Sequence, residues 1–153
     1  MVKIKQAICF ALILVALTSC KKKESDDCSN CATEESGASS LPGLTFVLNG
    51  NSSMITADSA YYKTTSKTIV AYYQGNSHKL VIKTSSQVVG QYSISASNTL
   101  TYSENLTVYQ ATSGNITITD TTGKKLSGDF LTLGNNGGIT SVKGKFIRLP
   151  KRQ

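Results

Sequence analysis

Between Leu44 and Gln153 the chain alternates apolar with polar residues in short runs, and turn-forming residues separate one run from the next. Successive side chains of a strand point to opposite faces, so a period of two buries one face and leaves the other in water. The clearest runs are Gln91-Tyr92-Ser93-Ile94-Ser95 and Asn115-Ile116-Thr117-Ile118-Thr119. Further strands are expected at 44–48, 53–57, 67–73, 79–84, 99–102, 106–111, 125–133 and 139–149. Asn49-Gly50, Gly75-Asn76, Ser113-Gly114, Thr122-Gly123 and Asn135-Asn136-Gly137-Gly138 tolerate positive φ and predict hairpin turns. No amphipathic run of helix length lies between them, and a parallel sheet needs such crossovers. The expectation is an all-β domain of about ten short strands. It is an antiparallel β-sandwich or a flattened up-and-down barrel, with the sandwich preferred. A domain spanning 44–153 is long enough to bury its own core.

Within that domain, Gly128-Asp129-Phe130 and Gly144-Lys145-Phe146 each place glycine two residues before phenylalanine, on one face of a strand. A strand glycine leaves a gap that a neighbouring ring covers, so Phe130 and Phe146 read as core. Seven tyrosines, at 61, 62, 72, 73, 92, 102 and 109, could include sugar-stacking rings, and an adjacent pair in a strand such as Tyr72-Tyr73 must point to opposite faces, which leaves one ring free. For chemistry the domain offers Asp58, Glu104, Asp120, Asp129 and a single His78, placed in an apparent hairpin loop where it should be exposed. These supply neither an activated nucleophile nor a metal-ligand set. A non-enzyme without cofactor is expected.

The N-terminus is of another kind. Lys3 and Lys5 precede an apolar run from Ala7 to Leu17, which ends at Leu17-Thr18-Ser19-Cys20. That is a signal-peptide layout over residues 1–19, and an 11-residue run is too short for a transmembrane helix. Leu17-Thr18-Ser19-Cys20 resembles the lipobox of bacterial lipoproteins, a resemblance that implies lipidation of Cys20 and anchoring in a membrane. Two or more acyl chains hold a protein on a bilayer, whereas one is marginal. Residues 20–43 are polar and rich in small residues, and read as a disordered tether. Its Cys28-x-x-Cys31 pair reads as a small-loop disulfide or two idle thiols, since its flanks lack a third ligand or a helix N-terminus.

Ser25-Asp26-Asp27 is similar to the surface-export signals of Bacteroidota lipoproteins. Together with the lipobox, Phe46-Val47-Leu48-Asn49-Gly50 and the two Gly-x-Phe segments, it makes the chain resemble small Bacteroidota lipoproteins that carry a domain of unknown function. Members often carry Trp soon after the Asn-Gly turn, where this chain has Ser52-Ser53-Met54. The resemblance implies a β-domain on an outer-membrane lipoprotein, facing either the surface or the periplasm, and it implies no mechanism. Asp58-Ser59-Ala60 and Asp120-Thr121-Thr122 resemble the O-glycosylation acceptor of exported proteins in that group, which would modify Ser59 and Thr121.

Charge is uneven along the chain. Residues 44–153 hold 11 basic residues against four acidic ones, whereas the tether is net acidic. Lys143, Lys145, Lys151 and Arg152 form the candidate patch for an anionic surface. Nucleic acid is not an expected partner, because an exported chain lacks access to it and shows no basic-aromatic recognition motif. The function expected is display of a non-catalytic β-domain that binds a glycan or an envelope protein. The alternative is a lipocalin-like carrier of a small apolar ligand.

Overall fold

The alternation becomes ten strands in the computed structural model, which describes residues 42–153 other than Ser52 and Gly137. They are β1 (Gly43–Leu48), β2 (Ile55–Thr56), β3 (Ser59–Lys63), β4 (Thr68–Tyr73), β5 (His78–Lys83), β6 (Gly90–Ser93), β7 (Thr99–Glu104), β8 (Thr107–Asp120), β9 (Lys125–Asn136) and β10 (Ile139–Arg152). The leader at 1–19, Cys20, Ser25-Asp26-Asp27, the Cys28 and Cys31 pair and the rest of the tether up to residue 41 lie outside the described residues.

Seven strands close a ring. β3–β4, β4–β5, β5–β7, β7–β8, β8–β9 and β9–β10 all pair antiparallel. The last strand then meets the first in parallel, through Lys151 opposite Tyr62 and Arg152 opposite Lys63. Parity requires this: strands that alternate up and down around an odd-numbered ring bring first and last into the same direction. A single parallel pair therefore forms without a crossover helix and closes an otherwise antiparallel up-and-down barrel. β2 and β1 extend the barrel beside β10, and β6 beside β8. The barrel is flattened into two faces. A first sheet runs β2-β1-β10-β9-β8-β6, and a second runs β3-β4-β5-β7 and on to the start of β8.

β8 and β10, at 14 residues each, take part in both sheets and make the corners. Each bends at a bulge. In β8 the register slips between Ala111 and Ser113, and Gly114 follows with φ of 114°. In β10 it slips between Phe146 and Leu149, where Arg148 has φ of 50° and donates its N–H to Ser127 Oγ at 2.9 Å. Ser113-Gly114 is thus a bend within one strand and not the expected hairpin turn, because positive φ serves a bulge as well as a turn. The runs at 106–111 and 115–119 are one strand. Ser59–Lys63, which the sequence reading left without a strand, is the strand that closes the ring, and 53–57 shrinks to the two residues of β2.

The interior is filled by side chains. Phe46, Tyr62, Tyr102, Tyr109, Phe130 and Phe146 are all buried, among aliphatic residues from both sheets. Each such burial contributes about 1.5–3 kcal/mol. The two Gly-x-Phe segments lie opposite each other in β9 and β10, with Gly128 paired to Phe146 and Gly144 to Phe130. A Cβ on Gly128 would stand 2.5 Å from the Phe146 ring, and one on Gly144 2.6 Å from the Phe130 ring. Each ring occupies the space its partner glycine leaves.

Candidate functional site

The outward face of the second sheet gathers tyrosines, cations and hydroxyls. Its outward positions are Ser59, Tyr61 and Lys63 on β3, Thr68, Val70 and Tyr72 on β4, Lys79, Val81 and Lys83 on β5, and Thr99, Thr101 and Ser103 on β7. None is a carboxylate. Tyr61 pairs with Val70, so Tyr72, two residues further along β4, is its diagonal neighbour and within reach of its ring. Both rings are half-buried, and they lie over Val70.

Cations frame the two rings. The Arg152 guanidinium lies 4.2 Å from the Tyr61 centroid, Lys63 Nζ 5.9 Å from the same ring, and Lys79 Nζ 5.8 Å from Tyr72. Such contacts contribute about 0.5–1 kcal/mol each at exposed sites, and they hold the long side chains over the sheet. Burial pushes the Tyr61 phenol up, the Tyr72 hydroxyl beside it adds to this, and the Arg152 charge opposes it. The phenol stays a neutral donor at physiological pH. Thr68, Thr101 and Ser103 add hydroxyl residues to the same face, where Thr68 Oγ1 donates to Ser66 O at 2.9 Å and Ser103 Oγ to Lys79 O at 3.4 Å. The arrangement suits a ligand with an apolar face for the rings and many hydroxyl or anionic groups for the rim.

The four basic residues singled out in the sequence divide between two places. Lys143 and Lys145 lie on the outward face of the first sheet, where Lys143 faces Leu131 and Lys145 faces Asp129. Lys145 also lines a shallow groove of about 160 Å³ with Pro42, Leu44, Thr56 and Ile147. Lys151 instead reaches the β8–β9 turn, its Nζ donating to Thr121 O at 3.2 Å, and Arg152 covers Tyr61. Of the two acceptor motifs, Ser59 is exposed opposite Tyr72 on the tyrosine face. Thr121 is half-buried beside Asp120, whose carboxylate accepts from Thr122 N at 2.8 Å and Thr122 Oγ1 at 3.1 Å. Those bonds hold the Asp120 carboxyl below the usual range.

His78 differs from expectation. It is only 5% exposed and opens β5 instead of sitting in the loop. Its Nδ1 lies 3.0 Å from the Tyr102 hydroxyl and 3.6 Å from Glu104 Oε1, and its ring meets Tyr73 edge-on at 5.2 Å. The hairpin that sequence places before it is real, but the ring folds back against Tyr73 and Tyr102. Tyr102 donates to Glu104 Oε2 at 3.3 Å, and burial, then the Glu104 charge, pushes its phenol well above the ordinary range. The cluster satisfies buried polar groups at the mouth of the barrel.

The tyrosine face was half legible. Adjacent tyrosines signalled one exposed ring per pair, but that Tyr61 and Tyr72 meet, and that the C-terminal Arg152 lies across them, depends on ring closure. Comparisons with protein-family models, curated proteins and solved structures find no match to this chain.

Proposed function

We propose that this chain is a lipid-anchored cell-envelope protein whose β-domain binds an envelope glycan, without chemistry, on the outward face of the second sheet. One observation carries the reading. Tyr61 and Tyr72 stand as diagonal neighbours among Lys63, Lys79, Lys83 and Arg152, on a face whose strand positions hold no acid. The C–H face of a sugar ring packs on tyrosine, and hydroxyl or carboxylate substituents find donors at the rim. A site on the outside of the barrel also agrees with an interior occupied by aromatic side chains, which favours surface binding over carriage.

The test is a glycan array of neutral and acidic bacterial polysaccharides, followed by titration of the strongest binder. Tyr61→Ala and Tyr72→Ala should each weaken binding about tenfold, a loss of about 1.4 kcal/mol. Binding that ignores both substitutions would reject this face. The anchor is tested separately: wild type should incorporate labelled fatty acid and Cys20→Ser should not.

A further inference from the structure

The turns of an up-and-down barrel fall at two ends because its strands alternate in direction. One end gathers the β3–β4 turn, the β5–β6 loop, the β8–β9 turn and the last residues of β10. Hydrogen bonds knit these segments together. Thr64 N donates to Arg152 O at 2.9 Å, Gln87 Nε2 to Thr64 O at 2.8 Å, Lys67 Nζ to Ser85 O at 2.8 Å, and Lys151 N to Lys124 O at 3.1 Å.

Most of the domain's basic residues are here. Lys63 and Lys67 bound the β3–β4 turn, Lys83 ends β5, Lys124 and Lys125 close the β8–β9 turn, and Lys151 and Arg152 end β10. That is seven of the 11 basic residues in 44–153. The acid at this end is Asp120. Glu104 ends β7 at the opposite end, Asp58 accepts there from Gly75 N, and Asp129 lies mid-strand facing Lys145. The basic excess therefore belongs to one end of the barrel rather than to its whole surface.

A second feature shares that end. Val88 and Val89, in the β5–β6 loop, are 66% and 57% exposed. The loop is held on either side, by the Gln87 bond and by Tyr92 Oη donating to Val88 O at 2.6 Å, so its backbone presents both valines outward. Cations and an exposed apolar loop at one end fit an anionic bilayer. The cations meet headgroup phosphates while the valines enter the boundary with the acyl chains. A soluble polyanion would satisfy the cations and leave the valines in water.

The geometry points to this end of the barrel as a docking surface for an anionic phospholipid membrane. The site adjoins the tyrosine face and shares Lys63, Lys83 and Arg152 with its rim, while Lys67, Lys124, Lys125, Val88 and Val89 belong to this end alone, and it needs no lipid anchor to bind. It is tested with residues 42–153, which hold the closed barrel and lack Cys20. The probes are vesicles of phosphatidylcholine alone and of phosphatidylcholine with about a third phosphatidylglycerol.

Sedimentation should show binding to the anionic vesicles only, fading by about 1 M salt, where screening acts within about 3 Å. Each basic residue near such a surface strengthens binding about fivefold, so the triple variant Lys67→Gln, Lys124→Gln, Lys125→Gln should lose about a hundredfold. Val88→Ser with Val89→Ser, at unchanged charge, should lose several-fold. Lys143→Gln with Lys145→Gln should stay within about twofold, since those lysines lie on the first sheet. None of these residues belongs to the tyrosine pair, so failure here leaves the glycan reading standing, and the converse. Equal binding to both vesicle types, or anionic binding that survives the triple variant, would overturn the docking surface. Full competition by soluble polyphosphate together with no effect of the valine changes would also overturn it, in favour of a soluble polyanion.

Discussion

The first sheet keeps its most specific chemistry inside the barrel, and the second sheet displays its own outside. In the first, Gly128 and Gly144 admit the Phe146 and Phe130 rings, while the outward face mixes Lys143, Lys145, Asp129 and the exposed Leu131 and Leu133. In the second, the inward aliphatic residues Ile69, Leu80, Ile82 and Leu100 pack beside the buried Tyr62, Tyr102 and His78, while the outward face holds two tyrosines and a set of cations. Because the two faces of a strand are filled independently, one barrel separates the residues that hold it together from those that meet a partner. Stability should therefore be most sensitive in the first sheet, and binding in the second.

The hardest blow to that division would come from the glycines. Gly128→Ala should destabilise the domain by about 3 kcal/mol, because the new methyl meets both the Phe146 ring and the Thr117 carbonyl. A fall in melting temperature of about 10 °C is expected, and a change near zero would remove the interlock from the account. Asn49→Ala should cost about 2 kcal/mol. Asn49 Oδ1 accepts from Thr140 N at 2.6 Å, its Nδ2 donates to Gly138 O at 2.8 Å, and its φ is 55°. Urea denaturation measures this, with the midpoint moving at constant slope.

Alkali should act through the buried tyrosines of the second sheet. Burial pushes the Tyr62 phenol up to about 12, and raises Tyr109 as well. A folded-state pKa above the unfolded value of about 10 means that the folded chain holds its proton longer. This contribution is intact below pH 10 and is lost as pH rises toward 12. Tyrosinate absorbance should rise together with loss of strand circular dichroism. Separate transitions would show tyrosines that ionise without unfolding.

Smaller effects sharpen the contrast. Tyr61→Ala should cost about 1 kcal/mol of stability or less while weakening glycan binding, which separates the outward face from the core. Tyr62→Phe should be neutral or slightly stabilising, because the Tyr62 hydroxyl is buried without a hydrogen-bond partner among the described residues. A loss above about 1 kcal/mol would reveal a partner for that hydroxyl.

Period two was enough to recognise an all-β chain, its strand count and the core role of Phe130 and Phe146, because alternation is a local property of the backbone. The count came right through two opposite errors. Ser113-Gly114 looked like a turn and split β8, while no strand was expected at Ser59–Lys63, where β3 forms. Positive φ and short polar side chains serve bulges and strand entries as well as hairpins, and only the neighbouring strand decides which.

What the sequence determined by itself was the alternation, the glycine and phenylalanine spacing, and the excess of basic over acidic residues in 44–153. Tertiary structure alone decided which residues became neighbours. Ring closure brings Arg152 across Tyr61 and beside Lys63, from positions nearly 90 residues apart, and sends Lys143 and Lys145 to another face. It also turns His78 inward onto Tyr102. The physical reason is that strand pairing joins residues through backbone hydrogen bonds that carry no side-chain label, so register and closure emerge only when the whole barrel has packed.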